Sequence, residues 1–163
     1  MYKIRVSIFK ILMKKIIKKS SIRKVKFGKN VKIVSPVNLY DCVIGDNAFI
    51  GPFVEIQKNV KIGNDCRIQS HSFICENTTI GNNVFVGHGV MFVNDRFKEG
   101  LRASQKKNKL ESILIGNNVN IGTNSTILPV KISDNVTIGA ASLVLDDINL
   151  KGIYYGNPIK EKN

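Results

Sequence analysis

The most informative stretch of this 163-residue chain is residues 44–92, which read IGDNAFIGPFVEIQKNVKIGNDCRIQSHSFICENTTIGNNVFVGHGVMF. A large apolar residue recurs there at every sixth position. The nine positions are Ile44, Ile50, Ile56, Ile62, Ile68, Ile74, Ile80, Val86 and Phe92. Isoleucine makes up 23 of the 163 residues, so seven in a row at this spacing would arise by chance on the order of once in a million trials. The six-residue period is therefore a structural repeat.

Each repeat also carries a smaller position and a turn signal. Two residues before each large residue the side chain is small or β-branched, as at Ala48, Val54 and Cys66. Directly after it glycine is frequent, often followed by Asn or Asp, which tolerate the left-handed backbone of tight turns. A helix buries a residue every three or four positions, and a hairpin stack needs longer strands. The pattern instead predicts an all-β, parallel β-helix with three short strands and three corners per 18-residue coil.

The period breaks after Phe92 and resumes at Ile115. The predicted prism covers residues 27–92 and 115–145, which make about five coils and roughly 25 Å of height at ~4.8 Å per coil. Residues 93–112 are rich in Lys, Arg, Asn and Ser and contain no repeat. We expect them to form one long loop that leaves the prism, and loops of that length are usually functional or disordered.

Residues 1–24 are predicted to be a basic amphipathic leader, followed by a β-helix domain at residues 25–163. The leader holds nine basic residues and no acidic one. On a helical wheel its apolar residues spread broadly and its lysines gather mainly on the remaining arc. Such a segment can lie on an anionic membrane surface. It can equally pack across one end of the prism or remain a poorly ordered leader, and the sequence leaves these alternatives open.

Composition excludes several classes of protein. Outside the leader, 16 basic and 12 acidic side chains are interspersed over 139 residues, so the net charge of +13 does not indicate a nucleic-acid partner. The longest apolar run without glycine, residues 90–93, is far shorter than the roughly 20 residues that cross a membrane. Three cysteines and the absence of a secretory apolar segment favour a reduced, cytoplasmic protein.

Three segments near the C-terminal end resemble a known family. Residues 121–129 read IGTNSTILP, residues 136–144 read VTIGAASLV and residues 155–158 read YGNP. Together they resemble the closing coils of the hexapeptide acyltransferase family, and the resemblance extends over about residues 27–160. It implies that the β-helix is left-handed, that the protein is a homotrimer with active sites at subunit interfaces, and that acetyl-CoA lies along the last coils.

A narrower resemblance concerns residues 86–95, which read VGHGVMFVND. They are similar to a segment of acetyltransferases that act on nucleotide-linked amino sugars in surface-polysaccharide synthesis. The resemblance implies an acetyl-CoA-dependent N-acetyltransferase in which the sugar amine attacks the thioester directly, backbone N–H groups hold the oxyanion, and no acyl-enzyme forms. The alternatives are an O-acetyltransferase acting on a sugar or small alcohol, and a non-catalytic β-helix scaffold.

The loop bears on the choice between these alternatives. Sugar O-acetyltransferases of the superfamily carry a catalytic histidine in this loop, whereas residues 93–112 contain none. A hydroxyl needs a base during attack, but a neutral amine needs a proton acceptor only afterwards, so an amine substrate is favoured. Asn94 and Asp95 open the loop and are candidate sugar-binding residues, although two polar residues at such an exit are also ordinary turn formers.

His88 is the candidate catalytic base, and a water molecule or Asp95 is the alternative for that role. His88 lies between Gly87 and Gly89, two residues after Val86 and just before the loop. An imidazole that projects from a corner can accept a proton near neutral pH; the alternative is an ordinary surface histidine. His71 precedes it by 17 residues, one less than a coil, so we expect both at the same edge of adjacent coils. His71 is then a candidate substrate contact, and the alternative is a neutral surface group.

A metal site is not predicted. Catalytic zinc needs at least three protein ligands, and the chain has only two histidines. The zinc-dependent carbonic anhydrases resemble this chain in fold only, and Val93 stands where their third histidine would be expected. The cysteines lack metal-ligand spacing and are predicted to be core or turn residues. They are Cys42, Cys66 and Cys75.

Acetyl-CoA is expected along the C-terminal coils. Gly122, Gly139 and Ala140 are predicted to leave a smooth strip where pantetheine amides pair with exposed backbone groups. Lys160 is predicted to meet the CoA phosphates. The alternative is that the glycines and the alanine are simply corner residues.

Four phenylalanines support the expected trimer. Phe49, Phe53, Phe73 and Phe85 lie beside inward residues and should point outward, and Phe49 and Phe85 are two coils apart on one edge. Exposed aromatic strips favour association, and closed threefold symmetry buries one strip per subunit. The alternative is that the leader or the loop covers these rings.

Overall fold

The computed structural model describes residues 22–97, 100–102 and 110–162. These residues form strands of two to four residues joined by tight corners, and no helix long and apolar enough to cross a membrane occurs among them. The strands are β1 (Ile22–Arg23), β2 (Lys26–Phe27), β3 (Lys32–Ile33), β4 (Asn38–Tyr40), β5 (Val43–Ile44), β6 (Phe49–Ile50), β7 (Glu55–Ile56), β8 (Lys61–Ile62), β9 (Arg67–Ile68), β10 (Phe73–Ile74), β11 (Thr78–Ile80), β12 (Phe85–Val86), β13 (Met91–Phe92), β14 (Ile113–Ile115), β15 (Asn120–Ile121), β16 (Thr126–Ile127), β17 (Lys131–Ile132), β18 (Val136–Ile138), β19 (Leu143–Val144), β20 (Gly152–Tyr155) and β21 (Lys160–Glu161).

From β1 to β19 every third strand belongs to the same sheet, so the chain winds into a three-sided solenoid. Face 1 has the order β1-β4-β7-β10-β13-β16-β19, face 2 has β2-β5-β8-β11-β14-β17, and face 3 has β3-β6-β9-β12-β15-β18-β20-β21. Consecutive coils pair in parallel, and only the final pair, β20 with β21, is antiparallel. We name the corners after the faces that they join: the 1–2, 2–3 and 3–1 corners.

The large apolar residues that recur at every sixth position form the core, and we call them the inward ladder. On face 2, Ile62 pairs with Ile44 on one side and with Ile80 on the other. All three are at most 3% exposed, because alternate residues of a strand point to opposite faces and this set points inward. Small inward residues such as Cys66 fill the remaining space at 0% exposure. The predicted inward ladder is therefore confirmed.

The prism is longer than predicted. Face 1 contains seven strands, which corresponds to about seven coils and roughly 34 Å at ~4.8 Å per coil, so the expectation of about five coils was wrong. The added pairs lie at the two ends, where β1 pairs with β4 and β20 pairs with β18. An end strand has a neighbour on one side only, so its inward residues are under weaker constraint and follow the six-residue pattern poorly.

The first strand also shifts the start of the β-helix. β1 begins at Ile22, inside the segment 1–24 that the sequence assigned to the leader. The predicted amphipathic helix otherwise falls on residues 1–21, which lie outside the described residues.

Irregular steps in the ladder fall at the 1–2 corner. The five-residue steps from Leu39 to Ile44 and from Ile127 to Ile132 both cross it. The predicted loop 93–112 leaves from the same corner, between β13 and β14, and β13 still pairs in register with β16 across it. The chain can therefore change length at this corner without disturbing the faces. The described parts of the loop are residues 93–97, 100–102 and 110–112.

The 2–3 corner explains the recurring glycine followed by Asn or Asp. A Cβ at Gly63 would lie 2.5 Å from Gly81 O, so only glycine allows the coils to stack there. The next backbone N–H donates to a side-chain oxygen one coil further on, as from Asn64 N to Asn82 Oδ1 and from Asn82 N to Asn117 Oδ1, both at 2.8 Å. We call this row the Asx ladder. Its members are Asp46, Asn64, Asn82, Asn117 and Asp134.

Candidate active site

His88 lies at the 3–1 corner with an exposed ring. Its Nδ1 is 2.8 Å from Ser70 Oγ, and Ser70 stands 18 residues earlier, directly adjacent on the preceding coil. The hydrogen bond can run either way. When Nδ1–H donates to the hydroxyl, Nε2 keeps its lone pair, and this is the tautomer that a general base requires.

The backbone around His88 is held from both neighbouring coils. Ser72 Oγ donates to Gly87 O at 2.8 Å, Gly87 N donates to Ile121 O at 2.8 Å, and His88 O accepts from Asn124 N at 2.8 Å. A Cβ at Gly87 would lie 2.7 Å from Thr123 N, which explains why glycine precedes the histidine. The imidazole therefore stands on a rigid corner.

His71 lies at the same corner on the preceding coil, as the spacing predicted. Gly89, its equivalent one coil later, donates from its backbone N–H to Ser70 O at 2.9 Å. The His71 ring stacks on Phe53, with centroids 4.7 Å apart and planes 16° from parallel. Phe53 is 57% exposed, so the two rings form an open aromatic surface beside His88.

Asn94 and Asp95 lie at the 1–2 corner, across face 1 from His88. Asn94 Nδ2 donates to Glu76 O at 3.1 Å, and Asn94 O accepts from Glu111 N at 3.1 Å, so Asn94 joins the two ends of the loop to the prism. Asp95 Oδ1 accepts from Phe97 N at 3.0 Å. His88 precedes β13 and Asn94 follows it, so the predicted base and the predicted sugar contacts lie at opposite ends of one strand of face 1.

Arg96 is a loop residue that sequence reasoning missed. Its guanidinium donates to Pro129 O at 2.6 Å and to Leu145 O at 3.0 Å, and it approaches Glu111 at 3.9 Å. It therefore ties the loop to the later coils along the 1–2 corner. These partners are 33 and 49 residues away, and no spacing rule in the sequence indicates them. Ser70, by contrast, can be found by counting one coil back from His88.

The predicted cofactor strip stays a prediction, and the structure shows how the backbone N–H groups of its glycines are paired. Gly122 N donates to Ile138 O and Gly139 N to Tyr154 O, both at 2.8 Å. These N–H groups are not exposed for pantetheine amides, because they pair with the next strand of the solenoid. A Cβ at Gly139 would lie 2.8 Å from Tyr155 Cβ, so coil stacking explains this glycine. Ala140 is exposed and keeps the corner smooth, and its contact with acetyl-CoA stays a prediction.

Lys160 is exposed in β21 at the C-terminal end. It lines a cavity of about 340 Å³ together with three carboxylate side chains, Asp146, Asp147 and Glu161. These negative charges oppose the binding of CoA phosphates at this point. The predicted role of Lys160 stays a prediction that the local electrostatics do not favour.

The cysteines lie in the core, as predicted. Cys42, Cys66 and Cys75 are each at most 2% exposed, and burial raises the pKa of the Cys42 and Cys75 thiols to about 11. A buried thiol with a raised pKa is a poor nucleophile. Across the part of the chain that the structure describes, no three His, Cys, Asp or Glu side chains are placed to hold a metal ion.

The outward aromatic residues lie on two faces and a corner. On face 3, Arg67 pairs with Phe49 on one side and with Phe85 on the other, and its guanidinium lies 4.7 Å from the Phe49 ring centroid. The predicted row of Phe49 and Phe85 is therefore confirmed. Phe73 points outward from face 1 and is partly buried. The trimer that these rings suggested stays a prediction.

Two sequence profiles match this chain. A profile of the bacterial transferase hexapeptide (six repeats) matches residues 41–76, and one of the hexapeptide repeat of succinyl-transferase matches residues 112–145. The bifunctional protein GlmU of Ruthia magnifica subsp. Calyptogena magnifica is 35% identical over 132 residues, covering 76% of this chain and 29% of that protein. The chain spans about three tenths of the length of the first curated relatives that it matches.

Solved structures share the fold. A mutant of AntD, an N-acyltransferase from Bacillus cereus in complex with dTDP and coenzyme A, superposes with a TM-score of 0.76 at 22% identity, covering 86% of this chain and 83% of that one. The acetyltransferase domain of PglB from Neisseria gonorrhoeae, in complex with acetyl coenzyme A, gives 0.61 at 16% identity, with coverage of 85% and 57%. The chain belongs to the hexapeptide-repeat transferase family, and the predicted left-handed parallel β-helix is confirmed.

Proposed function

We propose that the protein is a cytoplasmic, acetyl-CoA-dependent N-acetyltransferase that acts on a nucleotide-linked amino sugar. The observation that carries the proposal is the hydrogen bond between His88 Nδ1 and Ser70 Oγ at 2.8 Å, which presents an oriented, exposed imidazole at a corner of the solenoid. The relatives support it: AntD is described as an N-acyltransferase in complex with dTDP and coenzyme A, and the PglB domain as an acetyltransferase in complex with acetyl coenzyme A.

The chemistry needs only a base and an oxyanion site. The amine nitrogen of the sugar attacks the thioester carbonyl carbon, forming a C–N bond, and the C–S bond then breaks to release the CoA thiolate. The proton lost by the nitrogen passes to Nε2 of His88 and from there to the thiolate, so the enzyme returns to its starting state. No acyl-enzyme is needed, and the three buried cysteines take no part.

Backbone N–H groups of the 3–1 corner are the proposed oxyanion donors. We number the residues of a corner from the first residue after the strand. At the 2–3 corner, the backbone N–H of the second residue donates to an Asn or Asp side chain of the next coil. The equivalent residues at the 3–1 corner contain no Asn or Asp, and their row is Pro52, Ser70, His88, Thr123 and Ala140. The N–H groups of His88 and Thr123 therefore lack that carboxamide acceptor and can serve a developing negative charge.

A homotrimer would complete this site. Asn94 and Asp95 follow β13 and His88 precedes it, and in the proposed trimer the loop of a neighbouring subunit brings its Asn94 and Asp95 to the sugar at His88. We expect light scattering at micromolar concentration to give about three times the 18.1 kDa chain mass. A mass near 18 kDa would remove both the trimer and the shared site.

The test of the function is a substrate panel. Protein and acetyl-CoA are mixed with nucleotide-linked sugars that carry either an amino or a hydroxyl group at matched positions, and free thiol is followed with time. We expect turnover with amino sugars and an amide in the product by mass spectrometry. Turnover with hydroxyl acceptors alone would establish the O-acetyltransferase alternative, and no turnover with any acceptor would favour the scaffold.

A further inference from the structure

The net charge of this protein is concentrated at one end of the chain. Residues 1–40 contain 12 basic residues and no acidic one, and the first carboxylate in the sequence is Asp41. Residues 41–163 contain 13 basic and 12 acidic residues. All but one unit of the net charge of +13 therefore lies in the first quarter of the chain.

The first coil arranges five of these cations in a ring around the prism. Arg23 ends β1 on face 1, Lys24 lies at the 1–2 corner, Lys26 is on face 2, Lys29 is at the 2–3 corner and Lys32 is on face 3. All five are exposed. One coil is about 4.8 Å thick, so the ring forms a slab thinner than the Debye length of about 8 Å at physiological salt. A flat anionic surface across this end would be within reach of all five charges.

The same end leaves apolar side chains open. Ile22 is 42% and Phe27 41% exposed, whereas their partners one coil later, Leu39 and Ile44, are both at 0%. The difference arises because the first coil has a neighbour on only one side. Val34, at the 3–1 corner of this coil, is 44% exposed. We call these three apolar residues and the five cations together the basic end.

The cations of the basic end are not held in ion pairs among the described residues. The nearest carboxylates in sequence, Asp41 and Asp46, belong to the second coil, and Asp46 Oδ1 accepts from the Lys29 backbone N–H at 2.7 Å. Arg23 lies over the Tyr40 ring at 5.1 Å, a contact that stabilises the cation without neutralising it. In the described ranges the ion pairs join Lys58 with Glu76 and Arg96 with Glu111, so none of the five is in an ion pair.

We propose that the basic end docks on the surface of an anionic lipid bilayer, with the axis of the prism standing on the membrane. Cations in a ring around an apolar centre match a lipid surface, where phosphates meet the cations and apolar side chains enter the headgroup boundary. Residues 1–21 precede this end in the sequence and carry seven more basic residues. A nucleic acid would instead require a basic groove or stripe along the protein.

Vesicle sedimentation tests the proposal with the full chain. Vesicles of phosphatidylcholine alone are compared with equimolar phosphatidylcholine and phosphatidylglycerol, over a range of salt. We expect binding only to the anionic vesicles and weaker binding as salt rises. A basic residue near an anionic surface contributes roughly 1 kcal/mol, or about fivefold in affinity, so Lys26→Glu, Lys29→Glu and Lys32→Glu together should weaken binding by about 100-fold or more.

The matched control carries the same charge change elsewhere. Lys61→Glu, Lys131→Glu and Lys151→Glu lie on later coils, are exposed and leave the basic end intact. We expect this variant to bind nearly as well as the wild type, with both variants folded by circular dichroism. Equal losses in the two variants, no loss in the first variant, or binding to duplex DNA but not to anionic vesicles would each overturn the proposal.

Discussion

The 2–3 and 3–1 corners share one backbone path but carry different side chains. In both, the third residue is left-handed, with φ of 53° at Asn83 and 64° at Gly89. In both, its N–H donates one coil back, from Asn83 N to Asn64 O at 2.8 Å and from Gly89 N to Ser70 O at 2.9 Å. The second position separates them, because it holds Asn82 at one corner and His88 at the other.

The difference shows how a repeat fold separates stability from chemistry. Along the 2–3 corner, the Asx ladder satisfies backbone N–H groups with side chains, so those N–H groups are not available to a ligand. Along the 3–1 corner, the same backbone needs no such ladder, and its second-position side chains are free to vary. A chemical group such as His88 can therefore be placed there at little cost to the fold.

The largest effect expected is on catalysis. His88→Asn should lower kcat/KM with an amino-sugar acceptor by about 10²- to 10⁴-fold, because general-base catalysis contributes about that much, with an unchanged melting temperature. The matched control is Asn82→Ala, at the 2–3 corner of the same coil, which should keep kcat while losing stability. An undiminished rate in His88→Asn would remove the base assignment and leave the two corners functionally equivalent.

The second effect is on stability. Asn117 Oδ1 accepts from Asn82 N at 2.8 Å and from Asn82 Nδ2 at 3.2 Å, so Asn117→Ala should lower the free energy of unfolding by about 1 kcal/mol. Urea unfolding followed by circular dichroism measures the change. Thr123→Ala, at the second position of the next corner, should stay within about 0.5 kcal/mol. Equal losses of unfolding free energy in Asn117→Ala and Thr123→Ala would mean that the side-chain hydrogen bonds of the Asx ladder do not stabilise the fold.

A smaller effect is expected at Ser70, which positions His88. Ser70→Ala should lower kcat about fivefold with little change in KM, corresponding to one hydrogen bond of roughly 1 kcal/mol. Ser70→Thr keeps a hydroxyl and should recover most of the rate, which a purely structural role would not predict. If both variants lose activity equally and lose stability to the same extent, the Ser70 hydroxyl does not act by positioning the His88 imidazole.

The smallest effect concerns pH at the end of the Asx ladder. Hydrogen bonds from the Asn117 backbone N–H and carboxamide lower the pKa of Asp134 below its usual value of 3.8. A carboxyl whose pKa is lower in the folded state stabilises the fold at pH above its unfolded value, and that contribution is lost as pH falls through the folded value. The melting-temperature difference between wild type and Asp134→Ala should therefore shrink below about pH 4. The difference between wild type and Asn82→Ala should not change over that range, and parallel pH curves for the two variants would contradict this account.

The sequence could predict whatever repeats along the chain. The inward ladder from Ile44 to Phe92 was predicted residue by residue, because each coil meets its neighbours in one register and every coil must solve the same packing problem. The shared edge of His71 and His88, and the row of Phe49 and Phe85, follow from the same counting. The end coils were not predicted, because a strand that pairs with a neighbour on one side only does not have to follow the six-residue pattern of inward residues.

Only the tertiary structure could decide the contacts that do not repeat. The reach of Arg96 to Pro129 and Leu145 and the carboxylates beside Lys160 depend on where a loop and a terminus fold back. The glycines show the same limit: Gly122 and Gly139 are compatible in sequence with an exposed strip, but their N–H groups pair with the next strand of the solenoid. Sequence by itself determined the periodic solenoid and the corner that carries His88, because residues that meet on adjacent coils lie a fixed number of positions apart in the chain. Aperiodic contacts depend on distances in space that spacing along the chain does not encode.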